Sequence, residues 1–180
     1  MLVVVTGGSG SGKSVYAEAL ITRLAEADKY YIATMKPFGA EGQQRIARHR
    51  QQRQGSGFIT VEQYTQIEKT AIPAGEHTTA LLECMSNLVA NEMFDGGSTR
   101  SAEELVRDIT AGIENLYTRC RHLVIVTNEV FSDGNRYDRE TAEYIRCLGT
   151  INQHLAKMAD SVVEVVYSIP VKIKGDNWTI

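Results

Sequence analysis

The sequence predicts an α/β fold built on a mainly parallel, doubly wound sheet. The chain opens with an unbroken β-branched run over Val3–Val5, preceded by Leu2, which is typical of a strand buried on both faces. Further short apolar runs alternate along the chain with segments whose apolar residues recur at helical spacing. Strands that alternate with helices in this way are typical of α/β proteins. Within its 180 residues the chain has no internal repeat and no long linker, so a single domain over residues 1–180 is expected.

Each element is predicted from its own pattern, and the turns between the elements are rich in glycine and polar residues. Ser101 and Glu104 form the signature of a capping box, which predicts that a helix begins there and runs to about Arg119. Other predicted helices follow "KSVYAEALITRLAEA", "MSNLVANEMF" and residues 139–158. After "LVVV", the predicted strands are "YYIAT", "FITVE", "TALLEC", "HLVIVTNEV", "SVVEVVYS" and "PVKIK".

Composition and charge argue against several classes of function. The net charge is −3, whereas nucleic-acid-binding domains usually carry a basic footprint, so no nucleic-acid partner is expected. No apolar run approaches membrane-spanning length. The three cysteines, Cys84, Cys120 and Cys147, are far apart and odd in number, which predicts neither a disulfide framework nor a metal site and favours the reducing cytoplasm.

A phosphate-binding loop is the strongest chemical signal. Residues 7–14, "GGSGSGKS", match G-x-x-x-x-G-K-[ST] between a buried strand and an amphipathic helix, the context in which this pattern has a mechanism. Glycines let successive N–H groups point inward and bind anions at a helix N-terminus. Lys13 is expected to reach the outer phosphates, and the Ser14 hydroxyl to ligate Mg²⁺. The predicted nucleotide-binding residues are Gly7, Gly8, Ser9, Gly10, Ser11, Gly12, Lys13 and Ser14.

A carboxylate partner for the Mg²⁺ ion is expected at the end of a nearby buried strand. Glu83 follows an apolar run at such a position, and Glu129 follows another. Either residue could instead be a solvated charge at a strand end. We favour Glu83 for the metal environment.

Residues 41–54 concentrate positive charge around one histidine. On a helix, Arg45, His49 and Arg53 would share one face because they are four residues apart, and Arg48 and Arg50 flank them. Arginines suit bidentate phosphate contacts, and their charge disfavours protonation of the imidazole, which a nucleophile needs. The alternative interpretation, a solvated polar helix in which arginine serves as a good helix former, stays open on spacing alone.

The motifs occur together, in order, as in one known family. "TGGSGSGKSVYAEAL", "YYIAT", "RIARHRQQR", "LLECMSNLVANEMF", "VTNEV" and "GTINQHLAKMADSVVEVVYSIPVKIK" cover most of the chain. The set resembles the bifunctional adenosylcobinamide kinase / adenosylcobinamide-phosphate guanylyltransferase family of cobalamin biosynthesis. The segment R-I-x-x-H-[RK], ahead of a T-x-E strand, is the specific part of this resemblance.

The resemblance implies a P-loop NTPase fold, a homotrimer and two transferase reactions. The first phosphorylates adenosylcobinamide, a corrinoid, with ATP or GTP as donor. The second transfers GMP from GTP to the product, giving adenosylcobinamide-GDP. By position, His49 corresponds to the family's guanylylated histidine and Lys13 to its phosphate-loop lysine. The candidates for neutralising the triphosphate are Arg45, Arg48, Arg50 and Arg53. Glu62 loosely matches the acid of the family's T-x-E strand, so a contact with the nucleotide, a contact with the metal and simple exposure to solvent all stay open for it.

The chain departs from the family's usual residues at Gln54, Phe131 and Ile145. These positions bear on the corrinoid pocket, so the sequence predicts no corrinoid contacts. Two other functions remain open at this point. One is a P-loop kinase of another small metabolite, and the other is a nucleotide-binding regulatory protein without turnover.

Overall fold

A computed structural model describes residues 1–37, 39, 43, 47, 51, 55–95, 100–130 and 137–175. The elements described over their full length are seven strands, four long helices and one short 3₁₀ helix, Ile67–Lys69. Residues 39, 43, 47 and 51 are also helical. The strands are β1 (Leu2–Thr6), β2 (Lys29–Ala33), β3 (Phe58–Glu62), β4 (Gly75–Glu83), β5 (Cys120–Val126), β6 (Ser161–Val166) and β7 (Ile169–Lys174). The helices are α1 (Lys13–Leu24), α2 (Met85–Phe94), α3 (Ala102–Thr118) and α4 (Arg139–Met158).

All seven strands belong to one sheet, in the order β3-β2-β4-β5-β1-β6-β7. Every neighbouring pair is parallel except β6 and β7, which form an antiparallel hairpin. Strand β5 therefore lies between β1 and β4. The carboxyl ends of β1 to β6 meet at one edge of the sheet, where Ala33 of β2 pairs with Glu83 on one side and with Glu62 on the other.

The sheet has a hydrophobic core on each face. In β1, Leu2 and Val4 face one core while Val3 and Val5 face the other, which explains the unbroken apolar run. Helix α1 packs on the second face, and α2, α3, α4 and the 3₁₀ helix contribute buried residues to the first. Full burial of such a side chain stabilises the fold by about 1.5–3 kcal/mol. The predicted α/β class with a mainly parallel, doubly wound sheet is confirmed.

The long helices have well-defined ends. The Ser101 side chain accepts a hydrogen bond from the Glu104 amide, and the Glu104 carboxylate accepts one from the Ser101 amide, so the predicted capping box is present. Asp138 caps α4 by accepting from the amide of Thr141 at 2.8 Å. At the other end of α4, the Lys174 ammonium donates to the carbonyls of Ala156 and Lys157. The last strand is thereby tied to a helix end.

Candidate functional site

The loop over residues 7–14 joins β1 to α1, as the motif predicts. Two of its glycines are required by geometry. Gly7 has a φ of 151° and a Cβ there would lie 2.5 Å from the Val165 carbonyl oxygen, while Gly12 has a φ of 92° and a Cβ there would lie 2.7 Å from Ser168 Oγ. An L side chain at either position would be both strained and too close to its neighbour. The glycine spacing of the motif thus reflects contacts with β6 and the β6–β7 turn as well as the needs of an anion.

The Lys13 side chain is buried at the centre of the loop. Its ammonium donates a hydrogen bond of 3.0 Å to the Gly8 carbonyl, and the residue is 9% exposed. Burial lowers the pKa of Lys13, and the nearby Cys84 and Glu83 partly oppose this shift. A buried cation whose charged form is disfavoured gains from a nearby anion, so the loop suits a phosphate.

Glu83 lies at the carboxyl end of β4 and accepts hydrogen bonds on both of its oxygens. The Ser14 hydroxyl donates to Oε1 at 2.5 Å, and the Tyr31 hydroxyl donates to Oε2 at 2.9 Å. A hydroxyl and a carboxylate are the hard oxygen ligands that Mg²⁺ prefers, with phosphate oxygens and water completing the shell. The residues present therefore fit a magnesium ion held between this carboxylate and a bound nucleotide.

Glu129 occupies a different position from Glu83. It follows β5 by three residues, and its amide donates to the Gly7 carbonyl at 3.1 Å, so its backbone braces the start of the loop. The residue is half-buried and makes a further interaction. The Ser14 hydroxyl donates to Glu83, and the metal role of Glu83 stays a prediction.

Buried Thr34 holds the backbone beside Glu83. Its amide donates to the Glu83 carbonyl at 3.0 Å, and its hydroxyl both donates to the carbonyl and accepts from the amide of Cys84, each at 2.8 Å. The Asn91 side-chain amide donates to the carbonyls of Thr34 and Tyr64 at 2.8 and 2.9 Å. Asn91 therefore satisfies local backbone groups and ties the ends of three neighbouring elements together.

A second polar network lies beyond Cys84, and the sequence did not reveal it. The Asn128 side chain donates to Ser86 Oγ at 2.6 Å, and the Tyr144 hydroxyl donates to the Ser86 carbonyl at 3.2 Å. Burial raises the pKa of Tyr144 to about 12 and also raises the pKa of the Cys84 thiol. Both groups are thus neutral near pH 7, and Cys84 is not an activated nucleophile.

Glu62 lies at the end of β3, two strands away from Glu83 along the same edge of the sheet. It is exposed, and its Oε2 accepts a hydrogen bond of 2.7 Å from the Tyr64 hydroxyl. Glu62 therefore lies at the same edge of the sheet as Glu83. Its contact with a nucleotide stays a prediction.

The predicted nucleophile lies outside the described residues, as do the arginines around it. These residues are Arg45, Arg48, His49, Arg50 and Arg53, together with the departures Gln54 and Phe131. Within the same segment the structure describes Gln43, Ala47 and Gln51, which are helical and exposed. The prediction of a polar helix over residues 41–54 otherwise falls outside the described residues. Ile145 is half-buried within α4.

The other histidines do not join the loop. His77 is exposed and pairs with Glu26 at 3.6 Å, while His122 is half-buried beside Arg121 and the chain terminus. His154 is exposed and borders a cavity of about 550 Å³ between α3 and α4. Within the described ranges, no three histidine, cysteine or acidic side chains converge on a metal-sized site, and no helix is long and apolar enough to cross a membrane.

Comparison with known proteins places nearly the whole chain in one family. A sequence profile of the family described as cobinamide kinase / cobinamide phosphate guanyltransferase matches residues 3–173. The bifunctional adenosylcobalamin biosynthesis protein CobU of Escherichia coli K12 is 35% identical over 184 residues, which cover 97% of this chain and 100% of that protein. CobU of Salmonella typhimurium LT2 is also 35% identical, over 185 residues, with the same coverage of both chains.

Solved structures give a weaker likeness. The flagellar accessory protein FlaH from Methanocaldococcus jannaschii aligns with a TM-score of 0.48 and 10% identity, over 97% of this chain and 78% of that one. The family assignment rests instead on the relatives that match over nearly the full chain and on the glycine-rich loop between β1 and α1. The chain belongs to the cobinamide kinase / cobinamide phosphate guanyltransferase family.

Proposed function

We propose that this chain catalyses both reactions of its family and that they use different groups. Phosphorylation of adenosylcobinamide takes place at the loop of residues 7–14, and transfer of GMP to the product goes through His49. Family membership over residues 3–173 supports the pair of activities. The 2.5 Å contact between Ser14 and Glu83 is the observation that carries the kinase assignment, because it joins the loop to a carboxylate from a distant part of the chain.

In the kinase reaction, the loop amides and Lys13 hold the phosphates of the donor, which is ATP or GTP. The substrate hydroxyl oxygen attacks the γ-phosphorus and gives up its proton to water, the bond to the β-phosphate oxygen breaks, and the nucleoside diphosphate leaves. Such transfers depend mainly on positioning and on neutralising phosphate charge. The buried Lys13 ammonium provides fixed positive charge for this purpose.

Mg²⁺ would be held by Ser14 and Glu83 together with phosphate oxygens, and would supply further neutralisation of the phosphates. Tyr31 keeps the Glu83 carboxylate in one orientation through its hydrogen bond to Oε2. The Glu83 carboxylate is thereby held where its other oxygen accepts from Ser14.

In the guanylyl transfer, an imidazole nitrogen of His49 attacks the α-phosphorus of GTP and pyrophosphate leaves. The phosphate of adenosylcobinamide phosphate then attacks the same phosphorus and releases the imidazole, giving adenosylcobinamide-GDP. Arg45 and Arg53 would neutralise the phosphates in this step. Glu62, at the end of β3, would contact the nucleotide from the same edge of the sheet.

Labelling with GTP tests this assignment. With ³²P in the α-phosphate, the protein should become radioactive in an acid-labile form, and His49→Ala should remove the label. His154→Ala is the matched control, because His154 is exposed on α4 and should leave the label unchanged. A wild-type chain that transfers only the γ-phosphate would be a kinase without the second activity, and one that binds nucleotide without forming product would be a regulatory protein.

The proposal includes a homotrimer in the cytoplasm. Strand β7 is an edge strand whose Ile169, Val171 and Ile173 side chains are 64%, 43% and 61% exposed on one face, an apolar row suited to contact with another copy. The free thiols of Cys84, Cys120 and Cys147 agree with a reducing compartment. Light scattering should give three times the mass of one chain, and Val171→Glu should lower that mass whereas Lys172→Glu, on the opposite face, should not.

A further inference from the structure

The turn between β6 and β7 places a tyrosine in a backbone conformation that tyrosine rarely adopts. Val166 pairs with Ile169, so the turn contains only Tyr167 and Ser168. Their φ values are 50° and 64°. Positive φ at both central residues is the geometry of a type I′ turn, where asparagine and glycine are strongly preferred. The turn itself therefore gives no reason for an aromatic residue at this position.

The same turn is fixed against the phosphate-binding loop. The Ser168 amide donates a hydrogen bond of 2.8 Å to the Ser11 carbonyl, and a Cβ on Gly12 would lie 3.2 Å from the Ser168 Cα. Since consecutive Cα atoms are 3.8 Å apart, the Tyr167 Cα lies within roughly 9 Å of Gly12. A nucleotide whose phosphates occupy the loop extends its ribose and base over a comparable length.

The Tyr167 side chain is free to meet such a base. It is 90% exposed, although the adjacent Ser168 is anchored to the loop. Val15, the first residue after the loop, is a second apolar side chain near the phosphate-binding loop and is 74% exposed. Because the Ser168 backbone is already fixed against the loop, the Tyr167 ring offers a flat apolar surface, and binding a base there costs little backbone entropy.

We propose that Tyr167 is a base-stacking residue for the purine of the nucleoside triphosphate bound at residues 7–14. The phenol ring would pack on a face of the purine. Stacking needs only a π-face, so this contact favours purines over the smaller pyrimidines without choosing between ATP and GTP. The inference rests on the proposed nucleotide binding at this loop and adds the position of the base.

The test compares ligands with and without a base on the full chain. Calorimetry is used to measure the affinity of ATP, GTP and inorganic tripolyphosphate for the wild type, Tyr167→Asn and Tyr167→Phe. Asparagine suits positive φ, so Tyr167→Asn removes the ring and keeps the turn. A melting temperature equal to or higher than that of wild type will verify that the turn is kept. We expect Tyr167→Asn to weaken ATP and GTP binding by about 5- to 100-fold and to leave tripolyphosphate binding unchanged, while Tyr167→Phe stays near wild type.

Each result has a separate meaning. Equal affinity of wild type and Tyr167→Asn for ATP and GTP would overturn the stacking inference and leave the proposed function intact. An equal loss for tripolyphosphate would also overturn it, because the defect would then lie in the loop. Failure of the wild type to bind any of the three ligands would instead contradict nucleotide binding at this loop.

Discussion

The Ser14 hydroxyl donates a 2.5 Å hydrogen bond to Oε1 of Glu83, across 69 positions of sequence. Ser14 is the second residue of α1, and Glu83 is the last residue of β4. Strand β5 lies between β4 and β1 in the sheet. The contact therefore depends on the loop reaching over an intervening strand. Through this hydrogen bond the phosphate-binding loop and the Glu83 carboxylate form a single site.

Replacing the Glu83 carboxylate with an amide should weaken Mg²⁺ use. Glu83→Gln keeps the size of the side chain and removes the charge that would face the ion. We expect Mg²⁺ affinity to fall by about 10- to 100-fold, measured as the Mg²⁺ concentration that gives half-maximal kinase rate. Nucleotide binding in the presence of a chelator should change little. A Glu83→Gln enzyme with the Mg²⁺ dependence of wild type would remove Glu83 from the metal site.

Tyr31 should act on the reaction through Glu83. Tyr31→Phe removes the 2.9 Å hydrogen bond to Oε2 and keeps the ring that packs edge-on against Phe58 at 5.8 Å. We expect a stability loss of about 1 kcal/mol and a several-fold higher Mg²⁺ requirement. Tyr30→Phe is the matched control, since Tyr30 belongs to the core on the opposite face of the sheet. If both variants changed the Mg²⁺ requirement equally, the effect would belong to the strand and not to the hydrogen bond.

Lys13 should stabilise the nucleotide complex and lower the folding stability of the protein without nucleotide. Its pKa is lowered by burial, so the charged form is less favourable in the folded chain than in the unfolded chain. This penalty is complete below the folded pKa and fades as the pH rises toward the ordinary lysine value. Lys13→Met should therefore melt at a higher temperature than wild type at pH 7, with a difference that shrinks at alkaline pH. The same variant should lose the rise in melting temperature that nucleotide gives to wild type.

The two glycines at positions 8 and 12 should differ in their tolerance of a methyl group. Gly12→Ala meets both a φ of 92° and Ser168 Oγ at 2.7 Å, whereas a Cβ at Gly8 would have nothing within 4 Å. We expect Gly12→Ala to cost at least about 1–2 kcal/mol of unfolding free energy and Gly8→Ala to cost far less. Urea titration measures both. Equal losses would show that the β6–β7 turn does not constrain the loop.

Local patterns predicted most of the fold. The helix "MSNLVANEMF" agrees with α2 residue for residue, and the capping box at Ser101 marks the start of α3. The predicted edges of β4 and α1 differ because periodicity locates a segment better than its ends: β4 begins earlier, at Gly75, and α1 ends earlier, at Leu24.

Partners across the sheet could not be predicted from the sequence. The alternation of side chains along each strand predicts which face Tyr31 and Glu83 occupy. They become neighbours only because β2 pairs with β4 in the sheet. Strand order depends on pairing between distant segments, which local sequence patterns do not show. The contact between Ser168 and Ser11 is of the same kind, because no local signal in "VVYSIP" points to a loop more than 150 positions away. The roles of His49, Arg45 and Arg53 stay predictions.

The amide of Ser168 also has a consequence for biosynthesis of the chain itself. The phosphate-binding loop is translated more than 150 residues before Ser168, whose amide donates to the Ser11 carbonyl in that loop. A nascent or prematurely terminated chain that stops before Ser168 lacks this hydrogen bond, so it should bind cellular nucleotide poorly.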